Sequence, residues 1–170
     1  MLKRHLAKMG VVLAVPALVF AATAPAHASG STVTWRNKAT GGCLTSAPGD
    51  IVGTETGLLT CFDGANRYEV DWYDSQDNLE NPNGAWTERV GRNGKCLTSY
   101  SQPGDDPNTP SPVYLETCSS PANYYEQWYE EWDGSSFHLR NRQTGRYLDT
   151  NSSGDVYALP ANNGNNQRWN

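Results

Sequence analysis

Arg36-Asn37-Lys38-Ala39-Thr40-Gly41-Gly42-Cys43-Leu44-Thr45-Ser46 returns 53 residues later as Arg89-Val90-Gly91-Arg92-Asn93-Gly94-Lys95-Cys96-Leu97-Thr98-Ser99, and after 51 more as Arg140-Asn141-Arg142-Gln143-Thr144-Gly145-Arg146-Tyr147-Leu148-Asp149-Thr150. In each copy an Arg stands five residues before a Gly, and that Gly three before a Leu. The residue before the Gly is Thr, Asn and Thr, and the residue before the Leu is Cys, Cys and Tyr. Each segment closes on a tryptophan, at Trp72, Trp128 and Trp169. Three such matches in one order are an internal repeat, and the repeat decides the fold.

The Thr/Asn-Gly pair reads as a tight turn, because Gly and Asn tolerate positive φ. The Cys-Leu-Thr or Tyr-Leu-Asp that follows starts a strand, whose alternation sends Leu to one face and its neighbours to the other. A closing Trp is too large to stay exposed three times, so it belongs to the core. Pro103, Pro107, Pro110 and Pro112 forbid a helix across the middle of the second repeat. Three short β-units that cannot bury their own faces must close around a pseudo-threefold axis or stack, and three copies in one domain's length favour closure. The expectation is an all-β fold, a single domain of three repeats near 34–78, 86–132 and 138–170.

Working outward, residues 1–28 differ from the rest. Lys3, Arg4 and Lys8 precede an apolar run from Val11 to Ala22, and Ala26-His27-Ala28 offers a small-x-small cleavage site. This is the pattern of a secretory signal peptide; the run is shorter than the roughly 20 residues that span a bilayer. Export, cleavage before Ser29 and a chain that stands alone as one module are expected. Residues 29–170 carry ten Lys and Arg against eighteen Asp and Glu, and all six Trp and nine Tyr. Nucleic acid and anionic membrane both need a basic footprint, so neither is expected as a partner.

Four cysteines in an exported domain allow three connectivities. Repeat symmetry selects Cys43–Cys61 and Cys96–Cys118. The third repeat has Tyr147 and Ala161 at those places, losing both members together. A metal site is the rival reading. It lacks any CxxC spacing, and His138 is the single histidine beyond the leader, so no metal or cofactor is expected.

Repeats that open on Gly-x-Cys/Tyr-Leu and end in a Gln-x-Trp-like signature resemble the ricin-B-type β-trefoil lectins. Gln167-Arg168-Trp169 carries the signature intact, Glu126-Gln127-Trp128 puts Glu in the Gln place, and Val70-Asp71-Trp72 departs from it. The resemblance runs from about Thr34 to Asn170. The third repeat, Leu139 to Trp169, is similar to a repeat of the actinohivin-type mannan-binding lectins. That resemblance implies a glycan or polysaccharide partner and a pocket at Asp149, Tyr157, Leu159 and Asn162. It places Asn166 where an aromatic is expected, just before Gln167. The chemistry agrees: a sugar wants a carboxylate for paired hydroxyls (Asp149), amides that donate and accept (Asn162, Asn166, with Gln167 beside them), and a flat contact (Tyr157, Leu159). The matching positions are Thr45, Gly57, Leu59 and Phe62 in the first repeat and Thr98, Tyr114, Glu116 and Ser119 in the second. They lack the carboxylate at the key place and read as scaffold, so one weak site on a monomer is expected.

Enzymatic function is not expected. Glu130-Glu131 and Asp105-Asp106 are the conspicuous acidic pairs, but neighbours on a strand point to opposite faces, and no nucleophile elbow or phosphate loop is present. The alternative is a protein-binding trefoil that uses the proline-stiffened insert Ser101 to Pro112.

Overall fold

The computed structural model describes residues 32–56, 61, 67–75, 84–102 and 105–170; the leader expected over 1–28 lies outside them. Among the described residues eleven strands run in chain order: β1 (Thr32–Val33), β2 (Cys43–Ala47), β3 (Ile51–Glu55), β4 (Trp72–Ser75), β5 (Ala85–Val90), β6 (Cys96–Ser99), β7 (Ser111–Glu116), β8 (Gln127–Trp132), β9 (Phe137–Asn141), β10 (Tyr147–Thr150) and β11 (Val156–Leu159). Among the described residues helix is confined to a single turn before each closing Trp: α1 (Arg67–Val70) and two 3-10 turns, Tyr124–Glu126 and Asn165–Gln167. The first strand starts at Thr32, two residues ahead of the expected boundary.

The order β1-β4-β5-β8-β9 makes a barrel wall, built from the first and last strand of each repeat. Trp169 closes it, bridging to Phe137 on one side and Asn37 on the other. Reciprocal backbone bonds seal that seam: Phe137 N–H to Trp169 O at 2.8 Å and back at 2.9 Å, Arg36 N–H to Asn170 O at 2.7 Å and back at 2.9 Å. The middle strands form three hairpins, β2–β3, β6–β7 and β10–β11. These cap one end and join one another through β7–β11, β3–β7 and the Gly53–Asp155 bridge. Five barrel strands closed by the Trp169 segment, under three hairpins, are the β-trefoil that the repeats foretold.

The repeated Leu and Trp explain each other. Leu44, Leu97 and Leu148 are fully buried, as are Trp72, Trp128 and Trp169. In each repeat the closing indole N–H donates to the carbonyl of that repeat's own Leu: Trp72 to Leu44 at 3.1 Å, Trp128 to Leu97 at 2.8 Å, Trp169 to Leu148 at 3.1 Å. A buried indole needs an acceptor, and this carbonyl supplies it.

The turn is wider than a two-residue hairpin loop. Within it one residue takes positive φ, Gly41, Gly94 or Gly145 (+70°, +68°, +68°), and each N–H reaches the carbonyl four residues back, on Asn37, Val90 and Asn141, at 2.8–2.9 Å. The preceding side chain serves as an acceptor: Thr40 Oγ1 from Gly42 N–H at 3.2 Å, Asn93 Oδ1 from Lys95 N–H at 3.1 Å, Thr144 Oγ1 from Arg146 N–H at 3.3 Å. Local side-chain bonding thus selects Thr or Asn there, rather than tolerance of φ > 0.

The disulfides are Cys43–Cys61 and Cys96–Cys118, with Cα–Cα separations of 5.6 and 5.2 Å. In the third repeat the loop before Trp169 is held by charge instead: Arg168 donates to Asp133 at 2.8 Å and to the Asn163 carbonyl at 3.0 Å. The second-repeat insert is pinned to the third repeat by Arg146. Its mostly buried guanidinium donates to the carbonyls of Thr109 and Asp106.

Candidate functional site

The β10–β11 hairpin pairs Asp149 with Tyr157 and Tyr147 with Leu159. Leu148, Val156 and Ala158 face the core, so alternation turns Tyr147, Asp149, Tyr157 and Leu159 to the outer face. The loop that follows brings Asn162 over the hairpin, where its amide donates to Asp149 Oδ2 at 3.2 Å. Four of the expected residues therefore meet.

The other two brace the loop. Gln167 is 1 % exposed; its amide accepts from Asn162 N–H at 3.0 Å and donates to the Pro160 carbonyl at 3.0 Å, and it also bonds Asp149. Asn166 gives its amide to the Thr150 carbonyl. Glu126 does the same work in the second repeat: its carboxylate accepts from Ser119 N–H at 3.1 Å. The Gln-or-Glu choice before Trp128 and Trp169 is thus a matter of anchoring this loop.

Asp149 lies deep, at 2 % exposure. Burial raises its carboxyl above the ordinary range, while hydrogen bonding by Asn162, Gln167, the Thr150 amide and Tyr157 works against that rise. The Tyr157 phenol is pushed up as well, by burial first and then by the Asp149 charge. Tyr157 and Leu159 are half-buried and Asn162 exposed, so the rim is apolar with an amide arm and the charge sits beneath it.

In the second repeat Thr98 is buried and bonds its own strand, Oγ1 to the Cys96 carbonyl at 3.2 Å. Tyr114 stands opposite it, like Tyr157 opposite Asp149. Sequence reasoning passed over the tyrosines around it: Tyr100 packs against Tyr125, ring centroids 5.0 Å apart, and both are at least partly exposed. In the first repeat Thr45 is half-buried, while Gly57, Leu59 and Phe62 lie outside the described residues.

A second cluster was invisible in the sequence. Asp74 and Glu88 face each other across β4–β5, and Glu130 joins them from β8, with carboxylate oxygens all within 4.8 Å. Trp35 Nε1 donates to Glu88 at 3.3 Å. All-oxygen donors of this kind suit a hard divalent cation. Burial and mutual repulsion instead favour shared protons, raising Glu88 well above the carboxylate range and Glu130 to about 8. The Glu130-Glu131 doublet does split across the strand: Glu131 turns outward to Arg140 at 2.6 Å and to the Tyr147 hydroxyl at 3.1 Å. Asp105 and Asp106 each accept a backbone N–H of their own insert, from Gln102 and Asn108.

The family model of the ricin-type beta-trefoil lectin domain matches residues 31–169. Among solved structures, the designed threefold-symmetric protein ThreeFoil is similar over 81 % of this chain and 95 % of its own, with TM-score 0.62 and 17 % identity. A ricin B-like lectin of Macrolepiota procera, in complex with lactose, covers 85 % and 96 %, with TM-score 0.60 and 17 % identity. SeviL, bound to the asialo-GM1 saccharide, covers 83 % and 95 %, with TM-score 0.58 and 21 % identity. At these identities the likeness is one of fold.

Proposed function

From a chain that belongs to the ricin-type β-trefoil lectin domain family, and is therefore a carbohydrate-binding protein, we infer a ligand and a site: mannose-type or related glycans, held by the third repeat. The observation that carries this reading is the Asp149–Tyr157–Asn162 grouping, whose carboxylate has no counterpart at Thr45 or Thr98. A sugar hydroxyl replaces the exposed Asn162 amide on Asp149, the freed amide turns to a neighbouring hydroxyl, and the ring's apolar face rests on Tyr157 and Leu159. Exchanging one internal hydrogen bond for another yields little net free energy, so affinity for a monosaccharide falls near the millimolar range, about −4 kcal/mol. The similarity of the third repeat to actinohivin-type repeats supports the mannose assignment. The protein is a secreted monomer without catalytic activity, and with one site it does not agglutinate cells.

Titration calorimetry with mannobiose tests the site. Losing a charged hydrogen-bond partner costs roughly 1.5–3 kcal/mol, so Asp149→Ala lowers affinity about tenfold or more. Thr45→Ala and Thr98→Ala change it little. Parental affinity in Asp149→Ala removes the third repeat as the site.

A further inference from the structure

The strand register places a continuous row of side chains on the outer face of the hairpin cap. Asp149 on β10 stands opposite Tyr157 on β11, and Tyr157 opposite Pro112 on β7. Two residues along β7, on the same face, Tyr114 stands opposite both Thr98 on β6 and Ile51 on β3. The alternate residues of these strands, Val52, Val113, Leu115, Val156 and Ala158, are buried, which fixes the row as outward. Tyr157 and Tyr114 are half-buried, Pro112 is exposed, and Ile51 is 60 % exposed. Neighbouring strands lie about 4.8 Å apart and alternate residues about 7 Å apart, so the path from Tyr157 to Ile51 runs about 16 Å.

We propose that this strip, Tyr157–Pro112–Tyr114–Ile51, is one binding track for an extended neutral polysaccharide chain that starts at Asp149 and crosses from the third repeat to the second and first. The proposal rests on the third-repeat reading and extends it from a sugar to a polymer. Continuity is the first support: the strip begins on Tyr157 itself. Charge is the second. The acids along or beside it are Asp149 and Asp155 near Tyr157 and Glu116 and Glu126 near Tyr114, which together repel an anionic chain, while nearby Asp50 is tied to Lys95. Rigidity is the third. Arg146 holds the carbonyls of Thr109 and Asp106, so the segment leading into Pro112 is fixed before any ligand arrives. Flat faces on a rigid sheet, with carboxylates at the margin, match the alternating apolar faces and hydroxyl edges of a sugar chain.

Calorimetry with linear manno-oligosaccharides of one to six rings tests the track. Affinity is expected to rise at least tenfold between one ring and about four, then level off. Ile51→Ser and Tyr114→Ser should each cut the ratio of four-ring to one-ring affinity at least threefold. Ile51 is the single isoleucine of the chain, so its δ-methyl resonance reports on the wild type without any substitution; it should shift with the six-ring ligand and stay still with the monosaccharide. A wild-type ratio near one, an unmoved methyl, or a ratio unchanged in both variants overturns the track while leaving the third-repeat site standing. A wild-type dimer that Ile51→Ser dissociates makes the strip a contact between copies and overturns it too. Binding to neither monomer nor polymer overturns the reading beneath it, and the track with it.

Discussion

Glu130→Gln should make this protein more stable at neutral pH, although it removes a charge from a chain that carries many. Glu130 is held at about 8 instead of its ordinary 4.5, first by burial and then by the charge of Asp74. The folded state thus keeps a proton that the unfolded chain releases between those two values. Stability is fully present below about pH 4.5 and falls as pH rises toward 8, at about 1.36 kcal/mol per pH unit for one group, or about 5 kcal/mol across the window. Glu88 is raised in the same direction, but it shares hydrogen bonding and repulsion with Glu130, so the two do not add. Gln is neutral at every pH and nearly isosteric, so the variant should gain about 2–4 kcal/mol at pH 7.5 and lose most of the slope. Against a typical total of about 5–15 kcal/mol that is a large effect. Urea unfolding of parent and variant at pH 5, 6, 7 and 8, at fixed ionic strength, measures it. Asp133, held low by Arg168 and the Ser135 amide, has the opposite sign, but its contribution is lost only in strong acid, outside this window. A parent as stable at pH 8 as at pH 5, or a variant with the parent's slope, would refute the shared-proton account.

Trp169→Phe strands the Leu148 carbonyl in the core and should cost at least about 1–3 kcal/mol in chemical denaturation. Replacing Cys96 and Cys118 together by Ser opens a loop of sequence separation 22 and should cost about 3 kcal/mol, while the parent titrates no thiol under denaturing conditions. At Gly145 a Cβ would meet nothing within 4 Å, so Gly145→Ala should cost only the left-handed backbone, about 1–2 kcal/mol by thermal melt. Arg146→Ala frees the insert and should speed proteolytic cutting between residues 102 and 110, with little change in the melting temperature.

What could be read from the sequence was whatever recurs at a fixed offset. The Gly turn, the Leu and the closing Trp recur because each copy must make the same Trp-to-Leu bond, and the cysteines followed because a staple is present or absent as a pair. Asp149, Tyr157 and Asn162 were legible because hairpin register and one loop bring them together within a single repeat. Gln167 was legible only as a position: its identity is set by a backbone it anchors, and Glu126 answers the same need. The groups that escaped belong to no single repeat. Asp74, Glu88 and Glu130 come from β4, β5 and β8, and only the pairing of these strands sets their oxygens within 4.8 Å. The strip from Tyr157 to Ile51 crosses β11, β7 and β3 and depends on how three hairpins meet at the axis. A repeat announces its own turns and core. Contacts made between repeats leave no period, and here they set both the buried carboxylate cluster and the outer strip from Tyr157 to Ile51.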